Sequence, residues 1–139
     1  MKAMTGKTSE LERVDKGRWK GVLLNVGKTQ VLGSKFETTP DALRQLVDTC
    51  ESPVPILNDD LISEKNVVIG QVTKLELMGD SLLATFEMSD GFERALQREM
   101  YFNVAIRTRY RNPQTGQEEG WKLLSVGTTN NPIMLEDSP

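Results

Sequence analysis

The chain of 139 residues contains no histidine. That absence removes at one stroke every Ser-His and Cys-His catalytic pair and every histidine-metal site this chain might have built. Any chemistry would have to come from carboxylates, lysine, tyrosine or residues lent by a partner. Only one cysteine is present, Cys50, so no internal disulfide can form, which fits a reducing compartment. No apolar run approaches the roughly 20 residues of a membrane span, so no membrane partner is expected. The opening "MKAMTGKTSELERVDKGR" lacks the apolar stretch of a signal peptide, and synthesis in a cytoplasm is expected. A net charge of -3 lacks the basic excess of a nucleic-acid binder, so nucleic acid is not an expected partner. Glycine-rich phosphate loops, internal repeats and low-complexity tracts are also missing.

What is present is the composition of one soluble domain, with 37% hydrophobic and 27% charged residues. Residues 1–17 are polar and without periodicity, and read as an extended arm that lies on another subunit or folds back on its own domain. Such an arm carries little core, so deleting it is expected to leave the domain folded. Residues 18–139 then form a single β-rich domain. "WKGVLLNVG" (19–27) reads as a strand followed by loose connectors. "TTPDALRQLVDTC" (38–50) reads as a helix, with Thr39 as its cap, Pro40 at its first position and Leu43, Leu46, Val47 and Cys50 as its buried stripe. Cys50 is thus read as a small core hydrophobe. "VVIGQVTKLELM" and "SLLATFEM" flank Gly79-Asp80, a hairpin signal. A second helix is expected near 90–100, where Asp90 and Glu93 could form a capping box. "YFNVAIRTRY" (101–110) alternates as a strand, and "WKLLSVGTT" returns as its antiparallel partner across the turn "NPQTGQEEG". The fold class expected is α+β, mainly an antiparallel β-barrel or curled sheet with two short helices.

Several groupings could carry chemistry. Asn58-Asp59-Asp60 is the densest acidic cluster, but it lacks the ligand spacing and glycine bend of a calcium loop, so a solvated loop is expected and no metal. Ser63-x-Lys65 and Lys122-x-x-Ser125 have the residue types of Ser-Lys dyads, yet such pairs occur freely by chance. Period-two spacing would set Arg107, Arg109 and Arg111 along one strand face, either as an interface stripe or as surface charges paired with Glu118 and Glu119 across the hairpin. Trp19 and Trp121 read as core residues or interface anchors.

Four of these segments occur in an order that resembles the phage prohead (capsid maturation) proteases, including the Mu-like I proteins, over roughly residues 18–135. "PVPILNDD" is similar to a Pro-Val-x-x-x-His segment of that family, and "VVIGQVTKLELMGDSLLATFEM" to its Gly-x-Val and Gly-Asp-x-Leu arrangement. "YFNVAIRTRY" matches the strand that carries the catalytic serine, and "WKLLSVGTTNNPIML" resembles the family's ending. The resemblance implies a herpesvirus-protease-like fold. It also implies that the histidine position falls on or near Asn58, and the serine position on Asn103 or Ala105. Residues 99–106 contain no Ser, Thr or Cys. Fold without activity is therefore expected, with no catalytic residue and no cofactor. A virion structural protein that binds the major capsid protein follows as the expected function, as a cement, decoration or minor head protein, with trimers by family habit. An assembly factor, a protease-related scaffold component, or a head-internal protein touching nucleic acid through the three arginines are the alternatives. No long charged helical tail of the scaffold kind is seen in the sequence.

Overall fold

Alternation of apolar and polar residues sets most of the architecture. The computed structural model describes residues 3–31, 33–58, 67–89 and 99–135. Among these described residues nine strands follow in order: β1 (Glu12–Asp15), β2 (Arg18–Asn25), β3 (Gly27–Val31), β4 (Ser34–Thr38), β5 (Val54–Asn58), β6 (Val67–Met78), β7 (Ser81–Met88), β8 (Tyr101–Arg111) and β9 (Glu118–Thr129). One helix, α1 (Pro40–Asp48), separates β4 from β5, and a 3-10 turn spans Thr8–Glu10. Seven strands form one sheet in the order β1-β2-β7-β6-β5-β9-β8, and β3 with β4 forms a separate hairpin. All pairings are antiparallel except β5 with β9.

The fold is thus a mainly antiparallel sheet with one helix among the described residues. The sheet is not closed into a barrel, because β1 and β8 end it without pairing. The second helix expected near 90–100 lies, for residues 90–98, outside the described residues.

β7 shows the pattern most plainly. Its residues alternate between half-buried and buried, turning Leu82, Ala84, Phe86 and Met88 inward. The turn before it places Gly79 at φ 59, in the left-handed region that glycine enters without a Cβ penalty. Inward-facing Phe86 stacks on Phe102 of β8, with ring centroids 4.7 Å apart. Those strands stand third and seventh in the sheet, so this contact crosses the interior of a curled sheet.

The helix starts where its chemistry dictates. Thr39 Oγ1 accepts a hydrogen bond from the Ala42 N–H at 3.1 Å, and Pro40 occupies the first turn. Leu43 and Leu46 are wholly buried. The Gln45 side-chain oxygen accepts from the Trp121 N–H, and the Thr49 hydroxyl donates to the Trp121 carbonyl, so α1 is tied to β9. Cys50, partly buried, packs against the core, as do Trp19 and Trp121. Burial pushes its thiol above its ordinary pKa.

Residues 3–8 depart from the expected arm. They run between β2 and β8. Thr5 bridges to Leu24 of β2, and Lys7 bridges to Tyr101 of β8. The Gly6 N–H donates to the Leu23 carbonyl, and the Phe102 N–H donates to the Gly6 carbonyl. A side chain at Gly6 has no room, since a Cβ there would lie 1.8 Å from the Val22 carbonyl oxygen. Met4 is a core residue, 3% exposed. Residues 12–15, the exposed strand β1, follow at the sheet edge. The segment therefore folds back on its own domain, and the expectation that it carries little core is corrected.

Candidate functional site

β8 carries most of the residues that sequence reasoning singled out, and its pairing with β9 is irregular. The ladder slips between Ala105 and Ile106, between Arg107 and Tyr110, and again between Tyr110 and Arg111. At the second slip β8 spends one residue more than β9, a β-bulge that breaks the period of two. Tyr110 consequently lies against Lys122, which is the register partner of Arg107. Strict alternation placed Tyr110 with the inward residues and the three arginines on one face. The bulge corrects that reading, and no continuous arginine stripe exists.

Each arginine has its own surroundings. Arg109 meets Glu118 across the hairpin, with Nε 3.1 Å from one carboxylate oxygen, as expected for surface charges on paired strands. Arg111 donates to the Gly116 carbonyl at 2.7 Å. Arg107 is exposed, and no ion pair or hydrogen bond of its side chain occurs among the described residues.

The positions that the sequence resemblance matches to a nucleophile and a base stand on β8 and β5. Asn103 and Ala105 are exposed on β8, opposite Gly127 and Ser125 of β9. Asn58 ends β5 opposite Val67. β9 stands between β5 and β8, so about 10 Å, two strand spacings, separate Asn58 from the β8 positions across the sheet. Asp59, Asp60, Ser63 and Lys65 lie outside the described residues.

Lys122 is not a base waiting for Ser125. Its ammonium sits 2.8 Å from a Glu51 carboxylate oxygen and 4.0 Å from the Tyr110 ring centre. Burial pulls its pKa down, but hydrogen bonds to Glu51 and Tyr110 and their charge outweigh this and hold it above its ordinary value. The lysine stays charged. Its type and spacing were legible in the sequence, whereas its partners on β8 and beyond α1 were not. No group of three metal-ligating side chains occurs among the described residues, and none of their helices is long and apolar enough to cross a membrane.

The exposed carboxylates predict a pH response. Glu118 is held below the usual carboxylate range by its hydrogen bond from Arg109, Glu76 by that from Lys20, and Glu87 by that from Arg18. The folded state therefore binds fewer protons than the unfolded chain at these groups. Their contribution is present above an unfolded value near 4.5 and is lost as pH falls through the lower folded values. The urea midpoint is expected to be flat down to about pH 5 and then to decline. Arg109→Met should make that decline shallower. A midpoint that rises on acidification would contradict these pairings.

A feature that sequence reasoning missed lies beneath β8. Between its inner face and the β3–β4 hairpin runs an open cleft of about 440 Å³, lined by Val104, Ile106, Phe36, Met4 and Ile133 among others. Among the described residues no charged side chain lines it, and Thr5, Asn103, Thr108, Thr129 and Asn131 add polar groups at its wall. The apolar alternation of 102–106 suggested ordinary core, and only the position of β8 at the end of the sheet leaves Val104 and Ile106 partly uncovered. The chain matches no family model, no curated protein and no solved structure.

Proposed function

We propose that the protein is a non-enzymatic structural component of a phage particle. It binds the major capsid protein, and its domain is a prohead-protease fold of the herpesvirus type, a curled barrel-like sheet, with the catalytic groups lost. The observation that carries this reading is the content of the strand matched to the protease serine. It presents Asn103 and Ala105 to solvent, and no Ser, Thr or Cys occurs between residues 99 and 106. Without histidine no imidazole base is available to activate a nucleophile elsewhere. Adhesion to a repeating shell needs neither group. Modest contacts repeated around a symmetric particle supply avidity, and a trimer at local three-fold positions would suit that geometry.

Two outcomes test the reading. Purified mature particles, run on a denaturing gel and identified by mass spectrometry, are expected to contain many intact copies. The purified protein should also cosediment with assembled shells and release no fragment from the capsid protein. Presence in procapsids with absence from mature particles would replace this role with that of an assembly factor. Release of capsid fragments would restore the enzyme reading. Salt-sensitive DNA binding would favour the head-internal alternative, against which the broken arginine row already counts.

A further inference from the structure

The outer edge of β8 and the cleft beneath it belong to one surface. The first two residues of β8 already accept an extended segment, since residues 6 and 7 of the same chain pair with Tyr101 and Phe102. From Val104 onward no strand lies along that edge among the described residues. The slip between Ala105 and Ile106 spends its extra residue on β9 and the bulge on β8 comes after Arg107, so β8 keeps its own alternation and the usable edge is 104–108. Natural proteins blunt such edges or use them, because unpaired N–H and C=O groups accept a further strand. Here the inward side chains of 104, 106 and 108 line a cleft that is mainly apolar and, among the described residues, uncharged, while Arg107 stands on the opposite face.

The geometry points to a binding site for an extended segment of a partner protein that reads apolar-acidic-apolar. Its backbone would continue the edge along which residues 6 and 7 already pair. Successive side chains of a strand point to opposite faces. The two apolar residues would therefore enter the cleft beside Ile106 and Thr108, and the carboxylate between them would face Arg107. Opposite charges across paired strands are favourable. A second copy of this chain fits less well. Antiparallel self-pairing centred on Ile106 sets Ala105 opposite Arg107 and leaves the guanidinium without a carboxylate. The uncharged lining likewise disfavours a charged group in the cleft. This surface is independent of the capsid reading, because it specifies the chemistry of a segment and not the assembly that owns it.

The test uses the full-length protein and a fluorescein-labelled nonapeptide with Val-Glu-Leu at its centre between Ser-Gly flanks. Saturable binding is expected by fluorescence anisotropy. Arg107→Glu, on an exposed side chain, should weaken it about fivefold, and the Val-Lys-Leu peptide should recover binding to that variant. Methylating the peptide's backbone nitrogens one at a time should abolish binding at every second position, the signature of strand pairing. Absence of saturable binding, or a methylation pattern without a period of two, would overturn the proposal. So would binding indifferent to Arg107→Glu. A concentration-dependent dimer by sedimentation that excludes the peptide would assign the edge to a second copy instead.

Discussion

Phe86→Ala is expected to lower unfolding stability by about 3–5 kcal/mol, a large part of what a domain of this size possesses. Phe86 is fully buried, and its register partners are Trp19 on one side and Val72 on the other. Its ring lies nearly parallel to that of Phe102, at an interplanar angle of 6°. Deleting it leaves a cavity in the centre of the sheet and removes the contact that joins β7 to β8 across the interior. The surroundings cannot collapse into that space cheaply, because Trp19, Val72 and Phe102 are held in strands by their own ladders. Phe86→Leu keeps most of the volume and should cost about 1–1.5 kcal/mol. Urea unfolding followed by tryptophan fluorescence measures both. A double-mutant cycle with Phe102→Ala should return a coupling of about 0.5–1.5 kcal/mol. A loss below about 1 kcal/mol for Phe86→Ala would mean that these rings do not meet in the core.

Elements whose geometry is set by neighbours in sequence were legible from the residues alone. The Thr39 cap and Pro40 announced α1, Gly79-Asp80 announced the β6–β7 hairpin, and the alternation of 81–88 named the inward side of β7. The pairing of Arg109 with Glu118 followed from a hairpin that brings them opposite. Elements held by distant partners were not legible. The β3–β4 hairpin reads as loose connection because its inward residues include Thr29 and Thr38, which are buried yet polar. Thr29 satisfies its hydroxyl on the Met134 carbonyl, 105 residues away in sequence. No local pattern encodes that. The candidate site divides in the same way. The absence of Ser, Thr and Cys from residues 99–106 and of histidine from the chain was read from residue types, whereas the bulge that separates Arg107 from Arg109 and Arg111 depends on how β9 returns.

The N-terminal segment is the case where a polar stretch without periodicity proves structural, and it carries the second large expected effect. Removing residues 1–10 is expected to destabilise the protein by at least about 4 kcal/mol. Most of that loss comes from two sources. Met4 leaves a core in which it is 3% exposed, a deletion that alone costs about 2–5 kcal/mol. The backbone bonds from Asn25 to Met4, from Met4 to Ile133 and from Phe102 to Gly6 are lost together, as is the Thr5 hydroxyl bond to the Phe102 carbonyl. Their partners on β2 and β8 would be left where water must replace the missing strand. Gly6→Val is a sharper probe because it removes nothing. Its side chain collides with the Val22 carbonyl, so docking must fail while every native atom remains. Substitutions at Glu12 and Arg13, on exposed β1, should change stability by under about 0.5 kcal/mol. Thermal and urea melts of the four variants distinguish a structural strand from a loose arm. If the truncated chain kept the full-length midpoint, residues 3–8 would be an arm that leaves the domain in solution. If it melted well below, the segment joins β2 to β8, and any partner of β8 must bind beside it.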